Sequence, residues 1–133
     1  MRVMVNGTFD ILHRGHIEML NYAKSRGDRL LIAIDTDRRV KELKGKDRPI
    51  NNQEDRQFFL LNLKAVDEVL IFDSKEELIE IMKDYKPDVY VKGSDWKKDR
   101  PSTAEQYCKE VIYYDRVGDY STTNTIQNII DRR

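Results

Sequence analysis

Short apolar runs with strand character alternate with helical patterns along this chain from one end to the other. The predicted strands are Arg2–Asn6, Arg29–Asp35, Asp67–Phe72, Val89–Lys92 and Glu110–Tyr114. Strands that are separated by helical crossovers pair in parallel, and right-handed crossovers place helices on both faces of the sheet. The alternation therefore predicts an α/β fold with one doubly wound, five-stranded parallel sheet.

Capping residues indicate where the predicted helices between these strands begin and end. The helices are expected over Gly15–Ser25, Asn52–Leu63, Ser74 to just before Pro87, Ser102–Lys109 and the stretch after Ser121. Gly27 follows the first helix and suits a left-handed C-cap. Ser74 and Glu77 have the spacing of a capping box.

Length and composition narrow the class of function. The 133 residues fit one domain, 1–133, without a separate substrate domain. The 24 basic and 24 acidic residues cancel, which argues against a protein that binds nucleic acid or a membrane surface through a basic field. The single cysteine, Cys108, excludes an internal disulfide, and no N-terminal apolar run resembles a signal peptide or membrane span. We therefore expect a cytoplasmic protein with a small ligand, no nucleic acid and no membrane partner.

The segment that follows the first strand, Asn6–His16, contains both histidines of the chain, His13 and His16. A glycine-bearing loop between a strand and a helix presents free backbone N–H groups and the positive end of the helix dipole to an anion. Two imidazoles add donors whose charge can respond near neutral pH. A single histidine more often has a structural role, but a pair beside Gly7 and Gly15 favours a phosphate-binding site. The Walker loop and the dinucleotide fingerprint are both absent.

Polar residues also follow strands two, four and five, at 35–37, 92–96 and 116–123. Ligands of doubly wound sheets bind outside the carboxyl ends of the strands, which is where these segments and the histidine loop are expected to meet. Trp96 is either an aromatic residue on the surface or part of a loop that recognises a nucleobase. An N-cap accounts for one hydroxyl of Ser121–Thr123, and a phosphate at the last helix would use the others.

The segment Lys41–Pro49 holds four cations and a glycine between two predicted helices. One interpretation is a solvated loop. The other is a mobile clamp whose charged groups close on a triphosphate. The residues alone do not decide between the two.

Three segments together resemble the cytidylyltransferase-like nucleotidyltransferase family, in that family's order and over nearly the whole chain. They are Gly7–His16 with its HxGH motif, Lys92–Trp96 and Ser121–Thr123. The resemblance implies a Rossmann-like fold of the HxGH type and transfer of NMP from an NTP to a small phosphorylated acceptor, with release of pyrophosphate. It also implies a homodimer. Mg²⁺ is the expected cofactor and should bind the triphosphate oxygens, because the chain shows no carboxylate cage.

The predicted site combines these motifs with the resemblance. The expected catalytic residues are His13, His16 and Lys46. The expected nucleotide-binding residues are Gly7, Thr8, Phe9, Gly15, Lys44, Gly93, Asp95, Trp96, Arg116, Ser121, Thr122 and Thr123. The expected acceptor-binding residues are Asp10, Asp37 and Arg56, and no residue is predicted to bind a metal directly.

The chain resembles two branches of the family that use different substrates. The chain resembles the adenylyltransferase domain that activates heptose 1-phosphate at Leu43–Gly45, Arg48–Asn51, Glu54, Arg56, Ala65–Asp67 and Val91–Gly93. Trp96 and Arg116 instead resemble glycerol-3-phosphate cytidylyltransferase. The longer match favours ATP and a heptose-1-phosphate-like sugar phosphate over CTP and glycerol 3-phosphate. A non-catalytic nucleotide-binding regulatory module is the alternative from another functional class.

Overall fold

The structure is a computed structural model that describes residues 1–93, 106–114 and 122–132. The strands are β1 (Arg2–Gly7), β2 (Arg29–Asp35), β3 (Glu68–Phe72), β4 (Val89–Gly93) and β5 (Glu110–Tyr114). The helices are α1 (Arg14–Ser25), α2 (Asp37–Lys44), α3 (Gln53–Leu61), α4 (Lys75–Tyr85) and α5 (Thr122–Asp131). All five predicted strands are confirmed to within one residue at each end. Helix α2 was not predicted. Of the predicted helix 102–109, residues 102–105 lie outside the described residues, and residues 106–109 are not α-helical, so that half of the prediction was wrong.

The strands form one parallel sheet in the order β3-β2-β1-β4-β5. The chain builds outward from β1 to β3, returns to place β4 on the other side of β1, and ends with β5 at that edge. The order therefore reverses between β1 and β4. Crossovers that leave in opposite directions open a crevice at the carboxyl ends of those two strands. The predicted doubly wound, five-stranded topology is confirmed.

Two apolar cores cover the faces of the sheet. Alternation along β1 sends Val3 and Val5 into one core and Met4 into the other. Leu20 of α1 packs in the first core, and Met82 of α4 packs in the second. Among the described residues, no helix is both long and apolar enough to cross a membrane.

Gly27 is needed for space and not for a left-handed backbone, so its predicted role as a C-cap was wrong. Arg26 caps α1 in the right-handed region, and the φ of Gly27 is not in the left-handed region. A Cβ on Gly27 would lie 2.5 Å from the carbonyl oxygen of Met1 and 2.7 Å from Cγ2 of Val3. The chain passes so close to the start of β1 that a larger residue would have to displace backbone.

The capping signal at α4 is confirmed with one change. Ser74 Oγ accepts a hydrogen bond from the backbone N–H of Glu77 at 3.2 Å, as predicted. The Glu77 carboxylate accepts from the backbone N–H of Asp73 at 2.5 Å, one residue before the position expected in a capping box.

Aspartates stand directly before β2, β3 and β4, at positions 28, 67 and 88. The Asp88 N–H donates to the carbonyl of Arg2 at 2.8 Å, and its carboxylate accepts from the Arg2 N–H, also at 2.8 Å. Asp67 makes the same two bonds to Leu30, at 3.0 and 2.8 Å. Each of these two aspartates therefore hydrogen-bonds both the N–H and the carbonyl of one residue on the neighbouring strand. These bonds lie at the amino edge of the sheet, where the two strands begin to pair.

Candidate active site

The crevice at the switch point is lined by the turn that connects β1 to α1. Strand β1 ends at Gly7 and α1 begins at Arg14, so residues 8–13 cross the carboxyl edge of the sheet. Thr8 Oγ1 donates to Oδ2 of Asp35, the last residue of β2, at 3.3 Å. The turn that contains the histidine motif is thus joined to the end of the neighbouring strand, as the strand assignment predicted.

His13 and His16 cap the start of α1 reciprocally. Nδ1 of His13 accepts from the backbone N–H of His16 at 3.4 Å, and Nδ1 of His16 accepts from the N–H of His13 at 3.3 Å. The rings stack with centroids 3.8 Å apart. A neutral imidazole that accepts at Nδ1 carries its proton on Nε2. Each ring therefore presents an Nε2–H donor on the side away from the backbone.

The charge around the start of α1 favours an anion. The first turn of α1 contains no acidic residue, so the positive end of its dipole is not neutralised within the helix. Gly15 lies in this turn between the two histidines. Backbone N–H groups, the helix dipole and two Nε2–H donors together form a site that can bind a phosphoryl group.

The buried ring of Phe9 packs against the ring of His16. The backbone of Phe9 has φ 51°, in the left-handed region, and its side chain is buried with the ring centroid 5.1 Å from that of His16. A Cβ on Gly7 would come within 2.9 Å of Cε2 of Phe9, so the glycine leaves room for this ring. A left-handed phenylalanine costs about 1–3 kcal/mol, which is typical of residues held in place for function.

Asp10 holds a second loop against this turn. Its carboxylate is 1% exposed and accepts from the backbone N–H groups of Ile50 and Asn51, both at 2.8 Å. Arg48 Nε donates to the same carboxylate at 3.3 Å. The structure thus gives Asp10 a positioning role in place of the predicted contact with an acceptor, because its oxygens are buried and engaged by the protein.

Arg56 is completely buried, with 0% of its surface exposed, and has a similar positioning role. Nε donates to the carbonyl of Asn51 at 3.0 Å, Nη1 to the carbonyl of Thr8 at 3.0 Å, and Nη2 to Asp37 Oδ1 at 2.8 Å. Its predicted contact with an acceptor is therefore corrected, because the side chain offers no surface to a ligand. Asp37 keeps 32% of its side chain exposed, so its predicted role is compatible with its position.

Asn51 is a residue of this edge that the site prediction missed. Its Nδ2 donates to the carbonyl of Asp10 at 2.7 Å, in addition to its backbone bonds to Asp10 and Arg56. The signal was present in the Asn51-Asn52 pair before α3. Asn52 is the N-cap of that helix and accepts from Asp55 N–H, which leaves the first asparagine with a different role.

The cation-rich segment is only partly a loop. Residues Lys41–Lys44 complete α2, so the predicted loop begins at Gly45, which ends the helix with φ 101°. Lys44 lies in the last helical turn, and Lys46 is exposed just beyond it. Partial burial and, next, the nearby charge of Arg48 lower the pKa of Lys44. The loop that could close on a polyanion is therefore shorter than predicted.

The ends of β2 and β4 add two buried charged side chains, Asp35 and Lys92. Burial raises the pKa of Asp35, and the hydrogen bond from Arg39 Nε at 2.8 Å acts in the opposite direction. The Lys92 ammonium lies 5.7 Å from the centroid of the Tyr90 ring. Sequence reasoning placed both residues at this edge but assigned neither of them a role.

The remaining predicted residues are covered unevenly by the structure. Gly93 ends β4 beside the crevice, and Thr122 and Thr123 form the first turn of α5. The predictions for Asp95, Trp96, Arg116 and Ser121 concern residues outside the described ranges.

The described carboxylates at this edge do not fit a resident divalent cation. Asp10, Asp35 and Asp37 each form an ion pair with an arginine. Within the described residues, no group of three or more histidine, cysteine, aspartate or glutamate side chains could hold a metal ion. The carboxylates of this edge therefore organise the loops.

The model of the cytidylyltransferase-like family matches residues 4–128. This chain belongs to the cytidylyltransferase-like family. The bifunctional protein HldE of Campylobacter fetus is 46% identical over 127 residues, and that of Helicobacter hepaticus is 42% identical over 127 residues. Each match covers 96% of this chain but only 27% and 26% of the relatives, so the chain spans about a quarter of their length.

A solved relative agrees with the family assignment. The lipopolysaccharide core biosynthesis protein from Thermoplasma volcanium matches with a TM-score of 0.69 and 30% identity, over 91% of this chain and 98% of that one. The resemblance seen in the motifs and the predicted Rossmann-like fold are both confirmed.

Proposed function

We propose that this protein is a nucleotidyltransferase that transfers NMP from an NTP to a phosphorylated sugar or polyol and releases pyrophosphate. The observation that carries the proposal is the reciprocal cap of His13 and His16, whose stacked rings lie at the positive end of α1. An oxygen of the acceptor's phosphate attacks the α-phosphorus, and the bond from that phosphorus to the pyrophosphate oxygen breaks. No covalent enzyme intermediate is needed.

Positioning and charge stabilisation supply most of the catalysis in such a displacement. The two Nε2–H groups donate to the α-phosphoryl oxygens as negative charge develops there. Lys44, Lys46 and Arg116 bind the β- and γ-phosphates or the acceptor, and Ser121–Thr123 bind a phosphate at the last helix. Mg²⁺ arrives with the NTP as part of the substrate, bound to the triphosphate oxygens.

The favoured substrates are ATP and a heptose-1-phosphate-like sugar phosphate. The support is the resemblance of Leu43–Asn51 and Val91–Gly93 to the adenylyltransferase branch. The name of the Thermoplasma volcanium protein, which concerns lipopolysaccharide core biosynthesis, agrees with a sugar acceptor. A cytoplasmic homodimer with no nucleic-acid or membrane partner completes the proposal.

The test is pyrophosphate release with Mg²⁺ present, measured over a panel of NTPs and acceptors. We expect ATP with heptose 1-phosphate to outperform CTP with glycerol 3-phosphate, because a site built to hydrogen-bond one base rejects a base that leaves its donors unpaired. Each NTP without an acceptor is the control. A preference for CTP with glycerol 3-phosphate would overturn the choice of branch. ATP binding without release from any pair would contradict the enzyme and favour a regulatory module.

A further inference from the structure

Arg48 has a charged group whose hydrogen bonding is incomplete. Its side chain is 15% exposed, and Nε donates to Asp10 Oδ2 at 3.3 Å. Nη2 is shielded from solvent and has no acceptor in the part of the chain that the structure describes. An N–H of a charged group that is shielded and unpaired costs free energy that an incoming acceptor would recover.

The group that holds Arg48 is itself fixed. The Asp10 carboxylate also accepts from the N–H groups of Ile50 and Asn51, and Asn51 Nδ2 donates to the Asp10 carbonyl. Arg56, by contrast, uses all three of its guanidinium nitrogens within the protein. The scaffold therefore orients Arg48 through Nε without using Nη2.

Lys44 adds a second cation near Arg48, and the two carboxylates that also act on Lys44, Asp10 and Asp35, are already paired with arginines. The charge of Arg48 lies close enough to Lys44 to lower the pKa of that ammonium, so the two cations repel each other. A phosphoryl group between them would be attracted to both. A guanidinium also presents parallel N–H donors that match the oxygens of phosphate.

We propose that Arg48 is a further substrate-binding residue, whose Nη2 donates to a phosphoryl oxygen while Asp10 holds Nε. This inference rests on the proposed function, which brings two phosphate-bearing molecules to the site, the NTP and the acceptor. Because Nη2 is shielded, binding includes a local movement of the Arg48 side chain or of the loop that carries it.

The test is calorimetric titration of the full chain and its Arg48→Lys variant with four probes. They are ATP, adenosine, heptose 1-phosphate and free heptose. Arg38→Lys is the matched control, because Arg38 lies on the exposed side of α2 and contacts Asp73 and Glu42. We expect Arg48→Lys to weaken one phosphate-bearing probe roughly 10-fold, with its phosphate-free counterpart unchanged. Weaker binding of ATP would assign Arg48 to the nucleotide phosphates. Weaker binding of heptose 1-phosphate would assign it to the acceptor.

Two results would overturn the proposal. One is that Arg48→Lys binds both phosphate-bearing probes as tightly as Arg38→Lys does. The other is that it weakens a probe and its phosphate-free counterpart equally, which would indicate a purely structural role. Thermal melting checks folding, and Arg48→Gln repeats the titrations if the lysine variant is unfolded. Pyrophosphate release by the unmodified protein is scored separately, so failure of the proposed function is distinguishable from failure of the Arg48 assignment.

Discussion

The two edges of the parallel sheet use aspartates in opposite ways. At the amino edge, Asp67 and Asp88 pair the backbone of neighbouring strands near the protein surface. At the carboxyl edge, Asp10 and Asp35 are buried, with 1% and 7% of their surface exposed. Carboxylates near the surface stabilise strand ends at little desolvation cost. Buried carboxylates must be paired with arginines, and such pairs contribute little net stability compared with apolar residues.

The fold is less stabilised at the carboxyl edge of the sheet, where the candidate site lies. The carboxyl edge keeps three aspartate–arginine pairs where an apolar core would be at least as stable. The hydrogen bonds of Asp10 and Arg56 instead fix the β1–α1 turn to the loop before α3. We therefore expect substitutions at the carboxyl edge to affect binding and substitutions at the amino edge to affect stability alone.

Arg56→Met has the largest expected effect. The substitution leaves the Asp37 carboxylate and the carbonyls of Thr8 and Asn51 without their donors. We expect the free energy of unfolding to fall by about 3–5 kcal/mol, because two backbone carbonyls lose their donor, at about 1–3 kcal/mol each, and the partly exposed Asp37 carboxylate loses its partner. Urea unfolding followed by circular dichroism measures it. Arg38→Met on the exposed side of α2 is the control, and an equal loss in both variants would contradict a structural role for the buried network.

Changes at His16 should separate catalysis from helix capping. We expect His16→Ala to reduce turnover by roughly 10²-fold to 10³-fold, as when one preorganised donor is lost. His16→Asn places an oxygen near the position of Nδ1 but has no Nε2–H, so it should keep more stability than alanine and remain equally inactive. Pyrophosphate release and thermal melting give the two readouts.

Asn21→Ala, at an exposed position of the same helix, is the control for the His16 variants. Near-normal turnover in His16→Ala would show that the histidine motif has been misinterpreted. Recovery of activity in His16→Asn would contradict the role of the Nε2–H donor.

The difference between local and distant contacts explains what the sequence could predict. The histidine bonds join residues three positions apart, so the motif and its helix start are visible in the sequence. Asp10 and Arg56 join residues 38 to 48 positions away, and no periodic pattern marks such pairs. Both were therefore assigned to the acceptor when they organise the loops.

The failure to predict α2 and the wrong role predicted for Gly27 also have physical reasons. Helix α2 is rich in charge and buries only Val40, so it lacks the apolar stripe that predicts a helix. Gly27 follows a helix, where a left-handed cap is common, but its contact with Met1 depends on where β1 lies. Propensity and periodicity describe neighbours in sequence, and these features depend on neighbours in space.

The exposed loop after α2 should respond to nucleotide. We expect saturating ATP with Mg²⁺ to slow hydrogen exchange over residues 45–49, because a polyanion joins cations that otherwise repel. Lys46→Ala should weaken ATP binding about 10-fold, which corresponds to about 1.4 kcal/mol. Lys64→Ala, an exposed lysine just before β3, is the control. Unchanged exchange over 45–49 in saturating ATP would contradict a clamp.

The smallest expected effect is a pair of opposite pH dependences. Burial raises the pKa of Asp35 above 3.8, so the unfolded chain loses this proton first and the contribution of Asp35 to stability falls as the pH rises. The hydrogen bond from Arg2 N–H and, next, that from Lys109 lower the pKa of Asp88 below 3.8, so its contribution is lost as the pH falls.

Asp35→Asn and Asp88→Asn should therefore change the free energy of unfolding with opposite pH slopes. Between pH 3 and pH 6, the stability of Asp35→Asn relative to the unmodified protein should rise, because the variant lacks a carboxylate that is costly to ionise when folded. The relative stability of Asp88→Asn should fall over the same interval, because it lacks a carboxylate that folding stabilises in its ionised form. Urea unfolding at steps of half a pH unit measures both slopes, and each variant is the control for the other. Slopes of the same sign would show that the two edges of the sheet do not differ in how they hold their carboxylates.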